Sequence, residues 1–384
     1  MSDKPTLNQS ERTRLTVMQS LKAHKLTQRE AAVRLDLSIR QVKRLWRVFQ
    51  SAGSAGLVSK QRGRVSPRRL NAELRSRASE LIRTRYIDFG PTLAHAKLTE
   101  IDHLKLSVES VRQLMIEQQL WQPHHAKPVT IHRLRERRAS FGELVQIDGS
   151  PFDWFEGRAP RCSLLVFVDD ATGRLVELFF APQESTFAYG AAMSRYFRRY
   201  GKPLAFYSDK HSIFRVTAAQ AVSGTGLTQL GRALQELDID IICANSPQAK
   251  GRVERAHQTL QDRLVKELRL RGISTIAAAN QYLPDYARDF NGHFAVVPRS
   301  SLDRHWPLQA AENLDRIFSH QETRTLSKNL TLQYNKVVYQ IQTTRPSYAL
   351  RNATVLVLEK PNGDVTLEYQ GRVLTHTVYD RQAH

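Results

Sequence analysis

Three acids stand where they could assemble phosphoryl-transfer chemistry: Asp148, Asp209 and Glu254. Asp148 closes the short apolar run LVQID (144–148), and Asp209 closes LAFYSD (204–209). Glu254 falls in the first turn of a long amphipathic stretch after the loop NSPQAKG (245–251). Carboxylates at the ends of neighbouring strands converge at one sheet edge, and a helix crossing that edge drops a third between them. A phosphodiester is an anion that resists nucleophiles. Two divalent ions roughly 3.5–4 Å apart activate a water or a 3′-hydroxyl and stabilise the leaving oxygen. Mg2+ prefers carboxylate oxygen and keeps waters and substrate oxygens in its shell. We therefore read Asp148, Asp209 and Glu254 both as catalytic acids and as ligands of two Mg2+ ions, with Mn2+ able to substitute. Without metal, three clustered carboxylates repel one another and at least one pKa rises. A lone acid at a strand end is ordinarily a turn or cap residue, and Asp153, Asp169 and Asp170 serve the same argument. Asp169 and Asp170 fit better as shapers of the turn at Thr172, Gly173 and Arg174.

The surroundings of Glu254 fit this chemistry. Ser246 and Pro247 give a turn, and Gly251 permits close backbone approach. Lys250 and Arg252 flank Glu254 and are placed to hold substrate phosphates. His257 and Gln258 lie three and four residues beyond it, on the same helix face.

The elements that must position these residues follow from periodicity. Runs 144–148, 162–170 and 175–181 read as strands, the last two as an antiparallel hairpin. A helix over 185–200, a strand at 204–209, a helix around 230–237, a strand at 238–244 and the long helix complete the series. In that helix Val253, Leu260, Leu264 and Leu268 share one face. This is the element order of an RNase H-like α/β core, over residues 139–300.

Charge divides the 384-residue chain. Its formal net charge is +20. Residues 1–138 hold 28 lysines and arginines against 12 acids, a balance of +16, which leaves +4 for the other 246 residues. A concentrated positive field captures a polyanion, so double-stranded DNA is the expected partner. No apolar run is long enough to span a bilayer, and the polar N-terminus lacks a signal-peptide pattern. Cys162 and Cys243 have no zinc-ligand spacing and read as buried free thiols. A cytoplasmic protein is expected, with no membrane partner.

The basic third contains two helical sets. Thr27 with Glu30 and Ser38 with Gln41 are capping boxes, separated by a tight turn at Asp36 and Leu37. Ala31, Ala32 and Leu35, then Val42, Leu45 and Phe49, face inward. The outer face of the second helix presents Arg40, Gln41, Lys43, Arg44 and Arg47. That is a helix-turn-helix within residues 1–58. Residues 59–69 form a basic linker whose Lys60, Arg62 and Arg64 suit phosphate contact. Residues 70–138 read as a second helix-turn-helix, with helices over 71–85, 93–98 and from Ser107, followed by a basic connector. Residues 320–384 alternate apolar and polar in short runs with an Asn362–Gly363 hairpin signal, which predicts a small β-barrel. The fold class is therefore multidomain: all-α N-terminal domains, a central α/β core and a C-terminal β-barrel.

The strings VQIDGS (145–150), YSDKHSIF (207–214) and NSPQAKGRVERAHQTLQDRLVKEL (245–268) resemble the three motifs of DDE transposases and retroviral-type integrases. The acid spacings, 61 and 45 residues, are similar to theirs. With FGPTLAHAKL (89–98) and the tandem helix-turn-helix layout, the chain most resembles insertion-sequence transposases of the ISNCY group. Many integrases carry Asn-Gly after the second Asp, where this chain has Lys210, His211 and Ser212. All three carboxylates are present, so the resemblance implies an active DNA-cleaving and strand-transferring enzyme. It further implies binding to terminal inverted repeats and to target DNA, a homo-oligomer of at least two protomers on DNA, and a bacterial, nucleoid-associated setting. Two other readings are a transposase-derived DNA-binding regulator without catalysis and a structure-specific nuclease of the RNase H type.

Overall fold

The computed structural model describes residues 7–59, 69–123, 136–208, 213, 227–243, 251–343 and 347–380. The chain divides into two compact units, Met1–Pro123 and His124–His384.

The first unit is helical. Helix α1 (Gln9–Lys22), α2 (Gln28–Leu35) and α3 (Ile39–Ala52) bury Val17, Met18, Leu21, Ala31, Ala32, Val42 and Leu57 together. Both anticipated capping boxes form. Thr27 N–H donates to Glu30 at 2.7 Å, and Ser38 N–H donates to Gln41 at 2.9 Å. Asp36 takes the left-handed conformation (φ +50°) that turns the chain from α2 into α3. Helix α1 is an addition to the sequence reading. It carries its own capping box, and its buried Glu11 also accepts the N–H of Ser59 at 2.9 Å. Helices α4 (Ala72–Arg85), α5 (Pro91–Glu100) and α6 (Val108–Glu117) form a second set around Ala78, Ile82, Leu93, Leu98, Val111 and Leu114.

The second unit begins with a five-stranded sheet. Strands β1 (Val145–Phe152), β2 (Cys162–Asp169) and β3 (Leu175–Ala181) precede α7 (Thr186–Tyr200), β4 (Ala205–Ser208), α8 (Gln229–Glu236) and β5 (Asp240–Cys243). Helices α9 (Gly251–Leu270) and α10 (Ile276–Phe294) follow. The strand order is β3-β2-β1-β4-β5. The first three strands pair antiparallel; β4 joins β1, and β5 joins β4, in parallel. This is the expected RNase H-like order.

Strand alternation builds a core on each face. Leu165 and Phe167 of β2 pack with α7 and α8, whereas Leu164, Val166 and Val168 pack with α9 and α10. The β2–β3 hairpin closes through Asp169, whose carboxylate accepts Thr172 N–H at 2.8 Å and Gly142 N–H at 3.0 Å. Burial pushes the Asp169 carboxyl up from its usual range, and these hydrogen bonds hold it back. Cys162 is buried, which drives its thiol up to about 11. Cys243 is half-buried rather than buried, because it lies on β5, an edge strand of the sheet.

The C-terminal residues depart from the expected barrel. After α11 (Leu314–Ile317) come β6 (His320–Thr325), β7 (Thr331–Tyr334), β8 (Val337–Ile341), β9 (Thr354–Glu359), β10 (Val365–Tyr369), β11 (Arg372–Leu374) and β12 (His376–Asp380). Among the described residues they form two open sheets, β11-β10-β9-β6 and β12-β8-β7. A closed barrel gives every strand two neighbours, and here β6, β7, β11 and β12 each have one. The two sheets share a core of Leu332, Tyr339, Ile341, Val355, Val357 and Leu367. Burial between two faces satisfies the alternating pattern as well as closure would. The Asn362–Gly363 turn forms as expected, with Gly363 at φ +85°. Among the described residues, no helix is long and apolar enough to cross a membrane.

Candidate active site

Strand β1 sends its residues alternately to two layers. Val145 and Ile147 face the α7 side, so Gln146, Asp148 and Ser150 face α9. Helix α9 meets those three at one-turn intervals. Gln146 Oε1 accepts the N–H of Val253 at 3.2 Å, His257 Nδ1 lies 3.8 Å from Asp148 Oδ2, and Gln261 Nε2 donates to Ser150 Oγ at 3.1 Å. Two strand residues advance about 6.6 Å and four helical residues about 6 Å. The helix therefore tracks the strand closely. It is pressed down by Val253, Ala256, Leu260, Leu264 and Leu268, all buried in the core against β2 and β3.

Asp148 does not end its strand, as LVQID suggested. Strand β1 continues to Phe152. The described pairing with β4 runs through Val145 and Gln146, with Gln146 opposite Tyr207. Asp148 lies two residues beyond the last pairing with β4 among the described residues, half-buried, with its side chain 21% exposed. The bare Cα of Gly149 matters beside it. A Cβ there would lie 2.0 Å from the carboxyl carbon of Glu184.

The N-terminus of α9 is anchored by Asp170. This residue is fully buried, and its Oδ1 accepts both Arg252 Nη1 at 2.6 Å and Gln146 Nε2 at 2.8 Å. Its Oδ2 takes the N–H of Arg138 at 2.8 Å. Asp170 thus sits in the turn after β2, but its carboxylate, unlike that of Asp169, is turned to α9 rather than to the turn backbone. Arg252 was expected to hold phosphate, but its side chain is 15% exposed and ion-paired to Asp170. A buried polar group needs a partner, so Gln146, in register with Asp148 on an otherwise apolar strand, was the signal in VQID that sequence reading passed over.

Glu254 is exposed in the first turn of α9, one residue after buried Val253 and three before His257. A carboxylate there is favoured by the helix dipole. Gln258 is also exposed. The structure thus brings Asp148 and His257 together and sets Glu254 on the adjoining turn. Asp209 follows Ser208, the last residue of β4, and lies outside the described residues, as do Lys60, Arg62, Arg64 and Lys250. Among the described residues, no group of three or more His, Cys, Asp or Glu forms a metal cluster.

In the helical unit, Arg40, Gln41, Lys43, Arg44 and Arg47 are all exposed along α3. The Gln41 carbonyl oxygen is committed to the cap on Ser38. The opposite face, with Val42, packs into the core.

A model described as a helix-turn-helix domain matches residues 13–64. The chain is 42% identical over 369 residues to the putative transposase y4bF of Sinorhizobium fredii (strain NBRC 101917 / NGR234), covering 96% of this chain and 80% of that one. It is 27% identical over 415 residues to the transposase for insertion sequence IS1202 of Streptococcus pneumoniae, covering 97% of this chain and 88% of that one. Among solved structures, the HTLV-2 integrase catalytic core domain in complex with magnesium is similar at 17% identity and a TM-score of 0.29, covering 38% of this chain and 84% of that one. The simian T-cell lymphotropic virus intasome in complex with PP2A regulatory subunit B56 gamma is similar at 14% identity and a TM-score of 0.32, covering 79% and 100%.

Proposed function

The chain belongs to the insertion-sequence transposases, and on that premise we propose that it binds the terminal inverted repeats of its own mobile element and catalyses Mg2+-dependent DNA cleavage and strand transfer. Its ISNCY-type assignment is part of this reading and rests on the FGPTLAHAKL and NSPQAKGRVER stretches. The observation that carries the chemistry is the alignment of α9 on β1, which places His257 beside Asp148 and Glu254 on the adjoining turn.

The residues present suit a hard divalent ion. Asp148 and Glu254 offer carboxylate oxygens, and Asp209, next in the chain after β4, is assigned as the third. When bound, Mg2+ supplies activation of the attacking hydroxyl and stabilisation of the leaving oxygen. The rest of the work is done by this chain's own groups. His257 lies near Asp148 Oδ2 and helps fix the orientation of that carboxylate. Asp170 fixes the start of α9 and so the position of Glu254. Lys250 is assigned to the substrate phosphates. The half-buried setting of Asp148 limits its exposure to water, which strengthens its pull on a cation.

Exposed Arg40, Lys43, Arg44 and Arg47 on α3 are assigned to DNA, with the Nε2 donor of Gln41 left for a base edge. Lys60, Arg62 and Arg64 are assigned to backbone phosphates. The assembly that joins two element ends is a homo-oligomer of at least two protomers on DNA.

The deciding experiment offers the full chain a duplex bearing the terminal repeats, with a target plasmid, in Mg2+. Strand-transfer products are expected. Specific binding without cleavage in Mg2+ or Mn2+ would instead identify a DNA-binding regulator. A second measurement addresses α3. Arg44→Ala is expected to weaken binding to the specific site by roughly 1–3 kcal/mol, with a smaller loss on random DNA. An equal loss on both, by fluorescence anisotropy, would reassign Arg44 to phosphate alone.

A further inference from the structure

A cavity of about 410 Å³ lies at the β2–β3 hairpin, where the C-terminal end of α7, helix α10 and the segment after it meet. Thr172, Arg174, Arg199, Tyr200, Arg288 and Val297 are among its lining residues, and no acid is among them. Three arginines converge there although residues 139–384 are nearly balanced in charge.

Each guanidinium is held but remains available. Arg174 lies over the Phe141 ring, 5.4 Å from its centroid, and Arg199 over Tyr200 at 5.0 Å. Stacking on an aromatic face fixes a guanidinium plane while leaving its N–H fork to bind an anion. Arg288 pairs with Asp285 at 3.1 Å, but both side chains are well exposed, at 71% and 65%, and such a pair is weak. Glu177, whose charge is felt by Arg199, is itself paired to Arg195 at 3.2 Å.

The cavity lies apart from the proposed chemistry. Val166 of β2 stands opposite Asp148. Thr172 lies in the turn just past the end of β2 at Asp169, which is three strand residues, or roughly 10 Å at about 3.3 Å per residue, beyond Val166. Successive phosphates of one strand advance about 3.4 Å along the duplex axis. A duplex with its reacting bond at Asp148 therefore presents phosphates at this distance.

We propose that this cavity seats a backbone phosphate, with its flanking sugars, of a DNA duplex lying along the catalytic unit. The choice of polyanion rests on the transposase reading. Arg174, Arg199 and Arg288 hold the charge, the stacked rings fix the forks, and the site reads no base sequence.

The test compares the full chain with the triple variants Arg174→Ala/Arg199→Ala/Arg288→Ala and Arg174→Lys/Arg199→Lys/Arg288→Lys, after matched melting temperatures establish folding. Binding of a random-sequence duplex of about 30 base pairs is measured across a salt series, and loss of the site is expected to lower the salt slope by about one. Affinity in the alanine variant is expected to fall about tenfold, with the lysine variant keeping most of the slope. Unchanged slope and affinity in the alanine variant would overturn the proposal. So would inorganic phosphate binding that is lost in that variant while duplex binding is retained, since the cavity would then serve a free anion. If terminal-repeat binding and strand transfer proceed normally while the triple variant is silent, this inference alone fails. A wild-type chain that binds no DNA sinks the function beneath it as well.

Discussion

Asp148→Asn, Asp209→Asn and Glu254→Gln are each expected to abolish DNA cleavage and strand transfer while leaving terminal-repeat binding nearly intact. The amides keep size and hydrogen-bonding capacity but lose the charge that holds a divalent ion. Nucleophile activation and leaving-group stabilisation both depend on that ion, so losing one ligand removes activity by on the order of 10³-fold or more, as for one member of a catalytic unit. Because the three act together, double variants should be little worse than singles. Mn2+ should support the reaction. Ca2+ should support binding without cutting, since its looser coordination places reacting oxygens poorly. Melting temperatures should stay near wild type, because Glu254 is exposed and Asp148 is half-buried. A cleavage-competent Asp148→Asn variant, measured on an uncut terminal-repeat duplex, would remove Asp148 from the mechanism.

Asp170→Asn should fail differently, by loosening the fold. Asp170 is fully buried and accepts hydrogen bonds from Arg252, Gln146 and the backbone of Arg138. An amide leaves Arg252 without its counter-charge and turns one acceptor into a donor facing other donors. Breaking a buried pair from one side costs roughly 3–5 kcal/mol. For a unit of this size that is a drop of about 5–10 °C in melting temperature. Activity should fall with it, because the first turn of α9 loses its post. Replacing both partners, Asp170→Leu with Arg252→Met, should recover part of the stability. Calorimetry showing Asp170→Asn melting within a degree or two of wild type would mean that the buried pair contributes little, and that α9 is held by its apolar face alone.

These two expectations separate what was legible in the sequence from what was not. The capping boxes at Thr27 and Ser38 were readable because each repeats a fixed offset between hydroxyl and Glu or Gln. The order of strands and helices in the core was readable because β2 and β3 are apolar runs bounded by turn residues. Helix α10 was not, since Pro284 sits inside it and reads as a break. Helix α1 carries few apolar residues and was passed over despite its own capping box. Alternation in the C-terminal strands indicated one buried face per strand, but it does not distinguish a closed barrel from two open sheets sharing a core. At the candidate site, Asp148 and Glu254 were singled out by type and position, and the structure sets them on β1 and the first turn of α9. The pairing of Arg252 with Asp170 was not legible, because it joins residues 82 apart. Nothing local marks an arginine beside a glutamate as structural rather than ligand-binding.

The matched stride of α9 and β1 has a consequence for how this region can change over generations. Its contacts recur at 146 with 253, 148 with 257 and 150 with 261. A substitution at one of these positions disturbs one rung and leaves the others standing. Adding or deleting a single residue between Val253 and His257 would instead swing everything beyond by about 100° around the helix axis. Leu260, Leu264 and Leu268 would then leave the core together while His257 turned away from Asp148. This stretch should therefore tolerate drift in spelling while resisting any change in length, whereas the exposed hairpins of the C-terminal sheets are free to grow or shrink.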